Sequence, residues 1–359
     1  MKFVVARRMG RRGEGLGNEI IAWSKGYIAS QVLGARLVGP AWGINARRYH
    51  RNFGTSRLDV VAEEVLTRIS THRFTEEDYR GIGEVDFGKA IRVWSERLQL
   101  AKRASFVVTV DGMYGGYLAI KNARPFLWSK LLGSRNALRN IYAVHSQLNP
   151  EKLFVAVHLR VGSDFAEFGD TPDCRGRFNM KLPMEWYLNL CRSLREAFQD
   201  RIQFHFFTDK IGPAFEEAVR EFNPQQQPRP NLSEASDLAL MAMADLRICS
   251  VSSYSLVASF LSGGLYTWYE PQLTLLNGLY SLWGSEPAQV QEHSPTWEAG
   301  QRARSSDAGN SEIQGWPIGT TGELPGQLLE ALERRLNALD RGKDLLSYGV
   351  VPQNFEKMR

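Results

Sequence analysis

Short apolar runs alternate with longer amphipathic stretches along most of this chain. Near the amino terminus, Lys2 to Ala6 is a short apolar run, a glycine-rich stretch from Met9 to Gly17 follows it, and a helical pattern runs from Asn18 to about Leu33. A second apolar run, Arg36 to Val38, closes with Gly39-Pro40. The order strand, loop, helix, strand predicts a βαβ unit.

The second half of the chain repeats this alternation more regularly. Strands are predicted at 153–159, 202–207 and 246–250, and helices at 183–199 and 212–222. Strands that alternate with helices in this way are typical of a doubly wound parallel sheet. The pattern therefore predicts an α/β fold.

Between the two halves the pattern is weaker. It predicts helices near 58–69 and 88–102, a strand at 105–110 and a helix at 130–146. Asn149-Pro150 is a break of the kind that separates domains.

The carboxyl-terminal third contains a stretch of unusual composition. Residues 284–322 are rich in Gly, Ser, Pro and Glu, which predicts an extended surface segment, and a helix is predicted at 324–340. We expect an amino-terminal Rossmann-like domain at 1–150, a second Rossmann-like domain at 151–322, and a helix with a tail at 323–359 that packs back onto the body.

Length and charge narrow the class of protein. With 359 residues the chain is longer than one hydrophobic core usually supports, which favours two domains. The formal net charge is +5, and no nucleic-acid-binding motif accompanies it. Because such a motif is missing, we expect no nucleic-acid partner. An anionic small molecule suits this charge equally well.

Cysteine and histidine content bear on compartment and metals. The three cysteines, Cys174, Cys191 and Cys249, lack the spacing of a metal site and are too few for a disulfide framework, which indicates a reducing compartment. Only six histidines are present, and they are dispersed. We therefore expect no metal, no other cofactor and no transmembrane segment, since no apolar stretch reaches about 18 residues, and we predict a cytoplasmic location.

The densest cluster of chemically active residues follows the predicted strand at 153–159. Arg160 carries a planar fork of donors that matches phosphate geometry, and Gly162 lets a backbone N–H approach the same anion. Two interpretations remain open from the residues alone. Arg160 belongs either to a clamp for a diphosphate or to an ordinary ion pair with Asp164 at a strand end.

This cluster also resembles a family signature. Residues 158–165, His-Leu-Arg-Val-Gly-Ser-Asp-Phe, are similar to the His-x-Arg-x-Gly-x-Asp-aromatic signature of the protein O-fucosyltransferases. More loosely, they resemble the His-x-Arg-Arg block of the bacterial α-1,2- and α-1,6-fucosyltransferases.

Three other segments resemble the same families in order and spacing. The glycine-rich loop with Asn18 resembles their first loop, although Glu19 stands where the bacterial branch has Gln. Residues 206–209, Phe-Phe-Thr-Asp, resemble the end of their second strand. Residues 236–255 resemble their closing donor motif, an Asp before a short helix, a strand and a Ser-Ser-aromatic turn.

The resemblance implies a fold and an activity. The fold is GT-B, in which two Rossmann-like domains face each other across a cleft. The activity is an inverting, metal-independent transfer of L-fucose from GDP-fucose to a hydroxyl acceptor. The resemblance implies that Arg160 stabilises the departing GDP.

The same resemblance assigns the remaining donor-side residues. Asn18 belongs to the first loop, and His158 is implied to bind the nucleotide, although a histidine at a strand end is also a common core residue. Asp164 and Asp237 are implied to bind the nucleotide at guanine or ribose. The Ser-Ser-aromatic turn, Ser252, Ser253 and Tyr254, is implied to contact the diphosphate, while the alternative for its serines is an ordinary helix cap.

The general base is assigned by resemblance to one branch of the family. Glu14, in Gly-Glu-Gly, matches a glutamate implied to deprotonate the acceptor hydroxyl, and Glu19 is the competing candidate. Enclosure in a cleft would raise the pKa of either carboxyl toward the range a base needs. The alternative for Glu14 is an ion pair with the neighbouring arginines or a helix cap.

The sequence leaves open the acceptor and the nucleotide of the sugar donor. A glycan, a peptide and a small molecule all fit, and residues 113–117 are the preferred acceptor loop. Trp42, Tyr114, Tyr117 and Trp128 are aromatics that either stack on an acceptor or belong to the core. Two other functions are kept: a GT-B enzyme that uses another nucleotide sugar, and a non-catalytic nucleotide-sugar-binding protein. A dinucleotide oxidoreductase is disfavoured because no G-x-G-x-x-G follows the first strand.

Overall fold

The protein contains two compact units, each with its own parallel sheet. A computed structural model describes residues 1–7, 15–39, 49–53, 57–84, 86–112, 115–162, 180–226, 234–262, 264–270 and 315–341. The first unit extends to Lys130 and the second begins at Leu131. That division concerns packing, and the domain limits expected at residues 150 and 322 stay a prediction.

The sheet of the first unit has four described strands in the order β2-β1-β4-β3, all parallel. The strands are β1 (Lys2–Ala6), β2 (Arg36–Val38), β3 (His72–Phe74) and β4 (Phe106–Val110). The helices up to residue 132 are α1 (Leu16–Leu33), α2 (Tyr49–Phe53), α3 (Arg57–Arg68), α4 (Glu76–Ile82), α5 (Phe87–Arg97), α6 (Gly116–Ala119) and α7 (Arg124–Leu132).

Helix α1 lies directly on β1, and a glycine makes that close approach possible. A Cβ atom on Gly26 would lie 2.5 Å from the Cβ of Ala6, too close for any other residue. The helix ends at Gly34, which takes the left-handed conformation (φ 58°) that glycine adopts without strain. Strand β4 is buried along its whole length, as a central strand of a parallel sheet requires.

The sheet of the second unit has five described strands in the order β6-β5-β7-β8-β9, again all parallel. The strands are β5 (Leu153–Leu159), β6 (Ile202–Thr208), β7 (Leu246–Ile248), β8 (Leu265–Tyr269) and β9 (Gly315–Ile318). The helices are α8 (Arg135–His145), α9 (Met184–Phe198), α10 (Pro213–Phe222), α11 (Glu234–Met243), α12 (Ser253–Leu261) and α13 (Gly326–Asn337).

Two buried charged residues hold the strands of this sheet to their surroundings. The carboxylate of Asp245 accepts hydrogen bonds from Arg335, from Arg341 and from the backbone N–H of Phe154 at the start of β5. The guanidinium of Arg247 donates to carbonyl oxygens that follow α11 and α12, at Ala244, Gly264 and Leu265. These contacts satisfy backbone groups that burial would otherwise leave at a cost.

Several predicted elements are confirmed, three predictions about elements are wrong, and one strand was not predicted. The helix predicted at 130–146 is interrupted, because Gly133 disfavours a helix and Ser134 caps α8 by accepting from the N–H of Ala137. The strand predicted at 246–250 ends at Ile248. Within the segment predicted as extended surface, residues 315–318 are β9. Strand β3 was not predicted at all.

The predicted α/β class with parallel sheets is confirmed, and the GT-B arrangement of two facing domains stays a prediction. No helix among the described residues combines the length and the apolar character that crossing a membrane requires. Of the segment predicted as extended surface, residues 284–314 lie outside the described residues.

Candidate functional site

The polar residues singled out after β5 lie where a parallel sheet offers a binding crevice. The chain leaves β5 toward β6 on one side and later returns to β7 on the other side, so the strand order reverses between β5 and β7. In open α/β sheets, ligands bind at the carboxyl ends of the strands beside such a switch point. His158 and Arg160 lie at the end of β5, and the Ser-Ser-aromatic turn follows β7.

His158 is an interior histidine held by two hydroxyl groups. Its Nδ1 lies 2.6 Å from Oγ of Ser255 and 3.0 Å from Oγ of Ser250. The two serine oxygens are 3.2 Å apart, and the backbone N–H of Ser250 donates to Ser255. His158 is 4% exposed. The network fixes its ring against the start of α12, and the implied binding of the nucleotide by His158 stays a prediction.

Arg160 forms an ion pair across the edge of the sheet. Its Nη1 lies 2.8 Å from Oδ2 of Asp209, the residue that follows β6, and both side chains are mostly buried. Oδ1 of Asp209 accepts from the backbone N–H of Val161 at 2.9 Å. The alternative partner named from the sequence, Asp164, lies outside the described residues. The structure thus places a guanidinium, a carboxylate and a backbone N–H together at this edge.

The turn after β7 begins helix α12. Ser252 is the N-cap, and its hydroxyl accepts from the N–H of Tyr254 at 3.2 Å, so the helix-cap alternative is confirmed for this serine. Ser253 is the first residue of the helix. The ring centroid of Tyr254 lies 5.4 Å from that of His158. A helix amino terminus carries a partial positive charge, which favours an anion at this turn.

Asp237 lies in the first turn of the neighbouring helix. It is nearly buried and lies inside α11, so it is not an N-cap of this helix. The hydroxyl of Tyr254 donates to the carbonyl oxygen of Glu234, the first residue of α11. This bond ties the first turns of α11 and α12 together. Asp237 therefore belongs to the same carboxyl-terminal edge of the sheet as the Ser-Ser-aromatic turn.

Two ionisable groups beneath this edge are kept neutral by burial. Burial raises the pKa of Cys249 to about 11, so its thiol is protonated near neutral pH. Burial, and next its proximity to Cys249 and Asp209, raise the pKa of Tyr187 well above its ordinary value. The hydroxyl of Tyr187 has no hydrogen-bond partner among the described residues. Neither group is an acid or base for chemistry at neutral pH.

The first unit contains the remaining candidates. Asn18 and Glu19 lie in the first turn of α1, where Glu19 is buried. Glu14, the preferred base, lies outside the described residues. The competing base Glu19 is therefore enclosed by protein, and its role stays a prediction.

Charged residues also cluster at the carboxyl end of β4. Asp111 is buried and pairs with Arg73, whose Nε and Nη2 lie 2.7 Å and 2.6 Å from Oδ2. Burial raises the pKa of Asp111, and the Arg73 guanidinium opposes that shift. Lys25 is fully buried; its Nζ donates to the carbonyl oxygen of Gly112 at 3.0 Å. Both arrangements hold the chain where the predicted acceptor loop begins.

The aromatic candidates for acceptor binding are resolved in part. Tyr117 and Trp128 are buried, so they belong to the core and offer no platform for stacking. Trp42 and Tyr114 lie outside the described residues. Among the described residues, no group of three His, Cys, Asp or Glu side chains is arranged to hold a metal ion. The expectation of a metal-independent protein stays a prediction.

Sequence reasoning missed three residues of this edge as members of the site. Ser250 and Ser255 lay within the quoted motif, yet only the fold shows that they hold His158. Asp209 was noted as the end of a strand motif, and its pairing with Arg160 follows from the register of β5 against β6. The sequence did contain one signal for this pairing. Asp209 comes just after a predicted strand, and that strand was expected to lie beside the strand that precedes Arg160.

Comparisons with known proteins find similarity in structure alone. No family model matches the chain, and no curated protein matches it. A solved structure of POFUT1 without ligand is 15% identical, with 72% of this chain and 94% of that chain covered and a TM-score of 0.39.

Two further solved structures are similar at the same level. POFUT1 in complex with GDP-fucose is 14% identical, with coverages of 74% and 97% and a TM-score of 0.39. A glycosyl transferase family 9 protein from Veillonella parvula DSM 2008 is 12% identical, with coverages of 94% and 97% and a TM-score of 0.37. Similarities at this level do not establish a family for this chain.

Proposed function

We propose that this protein is a glycosyltransferase that moves L-fucose from GDP-fucose to a hydroxyl acceptor, with inversion at the anomeric carbon and without a metal. The observation that carries the proposal is the position of Arg160. Arg160 follows β5 at the carboxyl-terminal edge of a parallel sheet, and the first turn of α12 follows β7, the strand beside β5 at the switch point. A fixed guanidinium and a helix amino terminus together suit a diphosphate.

The reaction that fits this arrangement is a single displacement. The acceptor oxygen attacks the anomeric carbon of the sugar, the bond from that carbon to the diphosphate oxygen breaks, and the electron pair leaves on GDP. Arg160 neutralises the charge that develops on the departing phosphate, which is the stabilisation that lowers such a barrier most. The acceptor's proton passes to a carboxylate, for which Glu14 is the proposed base.

The donor is the first point to test. Calorimetric titration with GDP, GDP-fucose and UDP, each with and without EDTA, measures both guanine selectivity and metal dependence. We expect tight, EDTA-insensitive binding of the guanine nucleotides. Equal binding of UDP would show no preference for guanine, and the proposed donor would then be another nucleotide sugar. No binding of any nucleotide would refute the proposal.

Variants of Arg160 test the leaving-group role. Arg160→Ala should lower kcat by about 10²- to 10³-fold, by analogy with the loss of one oxyanion donor. Arg160→Lys keeps the charge but loses the planar fork, so it should recover only part of the rate. Arg201→Ala is the matched control. Arg201 lies just before β6, at the amino-terminal edge of the sheet and away from Arg160, and it forms an exposed ion pair with Glu333. Normal turnover of Arg160→Ala would refute this role.

The base is tested separately from binding. Glu14→Gln should lower turnover while GDP affinity stays at the wild-type value, because the base contacts the acceptor and not the nucleotide. The product's anomeric configuration, read by NMR, decides between inversion and retention. An unchanged rate in Glu14→Gln would transfer the role to another carboxylate such as Glu19.

A further inference from the structure

Among the described residues, the carboxylate of Asp209 makes two contacts, one to each of the two residues that follow β5. Oδ2 binds Nη1 of Arg160 at 2.8 Å, and Oδ1 accepts from the N–H of Val161 at 2.9 Å. One carboxylate thus fixes both the guanidinium and the backbone that carries it. No role for Asp209 follows from the displacement chemistry itself.

Asp209 is itself held in a defined position. The register pairs Leu159 with Thr208, so the residues that follow the two strands lie side by side at the edge of the sheet. The hydroxyl of Thr208 accepts from the N–H of Lys210 at 3.2 Å and donates to its carbonyl oxygen at 2.9 Å. These two bonds close the turn that carries Asp209 and orient its side chain toward β5.

Burial decides how strongly this pair restricts Arg160. The side chains of Arg160 and Asp209 are 16% and 17% exposed, so solvent screens their interaction less than it screens a surface ion pair. An arginine side chain has several rotatable bonds and loses entropy whenever a ligand orders it. A carboxylate that orders the guanidinium beforehand removes part of that cost from ligand binding.

The same carboxylate has an opposite effect. It is a negative charge beside the position of a bound diphosphate, and like charges repel. If repulsion outweighed ordering, removal of the charge would tighten binding. The two effects therefore predict opposite changes in ligand affinity when the charge of Asp209 is removed.

We infer that Asp209 is a positioning residue: it holds the backbone after β5 through the N–H of Val161 and presents the guanidinium of Arg160 to the diphosphate of a nucleotide sugar. The inference rests on the proposed function for the identity of the ligand. Ordering prevails over repulsion because Asp209 holds the guanidinium of Arg160 and the backbone beside it in place at once. Asp209 does not touch the reacting atoms and acts through Arg160.

Asp209→Asn is the decisive variant. Asparagine has one acceptor oxygen and an amide NH₂ group, so it cannot accept from both Arg160 and Val161 as the carboxylate does. We expect GDP to bind about tenfold more weakly, the loss typical of one charge-assisted hydrogen bond. Asp200→Asn is the matched control, since it removes the same charge from an exposed position just before β6, and it should bind GDP normally. Unchanged or tighter binding by Asp209→Asn would overturn the inference.

A double-mutant cycle separates positioning from a general structural role. In an Arg160→Lys background the planar fork is already absent, so Asp209→Asn should cost much less than tenfold there. Equal losses in both backgrounds would show that Asp209 does not act through Arg160. Thermal denaturation of each variant, followed by circular dichroism, confirms that folded proteins are compared.

A ligand-free measurement keeps this inference distinct from the proposed function. NMR of the arginine side chains reports how fast the guanidinium of Arg160 rotates. We expect slow rotation in the wild type and faster rotation in Asp209→Asn, and equal rates would overturn the positioning role even if GDP binds. Failure of the wild type to bind any nucleotide would refute the proposed function, whereas the rotation rates would still decide whether Asp209 orders Arg160.

Discussion

Replacing Asp245 by asparagine should destabilise the second unit far more than loss of any exposed carboxylate. The Asp245 carboxylate is completely buried and accepts four hydrogen bonds. Oδ1 accepts from Nε of Arg335 at 2.7 Å and from Nη1 of Arg341 at 3.1 Å. Oδ2 accepts from Nη2 of Arg341 at 2.7 Å and from the N–H of Phe154 at 2.7 Å.

The expected magnitude follows from this count. One amide oxygen accepts at most two of the four bonds, and the amide NH₂ then faces guanidinium donors. Removing one partner from a buried ion pair costs about 3–5 kcal/mol. Arg335 is 29% exposed and regains some hydration, so the lower end, about 3 kcal/mol, applies. For a unit of this size that lowers the melting temperature by about 6–12 °C.

Calorimetry and urea denaturation measure the effect, and α13 offers a control. Glu333→Gln also removes one negative charge, here from α13, the helix that carries Arg335, but its pair with Arg201 at 2.9 Å is about half exposed. Exposed pairs contribute below about 1 kcal/mol, so this variant should melt close to the wild type. If Asp245→Asn and Glu333→Gln melted at the same temperature, the argument that burial makes the Asp245 cluster strong would be wrong.

Three further predictions follow from the described contacts. Tyr187→Phe should raise the free energy of unfolding by about 1 kcal/mol in urea titrations, because it removes a buried hydroxyl without a partner among the described residues; a loss of stability would contradict this. Ser255→Ala should lower the free energy of unfolding by about 1–2 kcal/mol in urea titrations, because Nδ1 of His158 lies 2.6 Å from that hydroxyl; unchanged stability would contradict the network. Burial raises the folded-state pKa of Asp111 above its unfolded value near 3.8. The stability that protonation of Asp111 contributes is therefore fully present below pH 3.8 and is lost as the pH rises through the folded-state pKa. Asp111→Asn should lack this component, which urea denaturation between about pH 3 and pH 6 would detect as a flatter pH dependence.

The elements that sequence patterns predict best are the long ones with a clear apolar face. The predicted strand at 153–159 matches β5, and the helix predicted at 183–199 matches α9 within one residue at each end. Their apolar residues repeat with the period of the element that forms, so local pattern and tertiary packing agree.

Two short edge strands, β3 and β9, were not predicted from pattern, although the equally short edge strand β2 was. Strand β3 has three residues and β9 has four, and each lies at the edge of its sheet. In β9, Pro317 argued against a strand, yet proline is tolerated at an edge because no neighbour needs its N–H. Pairing with a neighbouring strand, not the local sequence, makes these segments extended.

The composition of the candidate site was predictable in part. Motif positions located His158, Arg160 and the serines after β7 at one edge of the sheet. The partners of those residues lie roughly 50 to 100 positions away in the sequence, at Asp209 and Ser255. Distant partners are set by strand order and register, which a single sequence does not encode in any local signal.

Strand β5 connects the stability of the second unit to its candidate site, because a carboxylate binds a backbone N–H at each of its ends. Asp245 accepts from Phe154 at the beginning, and Asp209 accepts from Val161 just beyond the end. Both carboxylates also pair with arginines, yet they differ in exposure, since Asp245 is fully buried and Asp209 is not. The enclosed carboxylate of Asp245 can only hold the fold, whereas the partly open pair of Arg160 and Asp209 is accessible to an anionic ligand. The two substitutions should therefore separate: Asp245→Asn changes melting first, and Asp209→Asn changes nucleotide binding first.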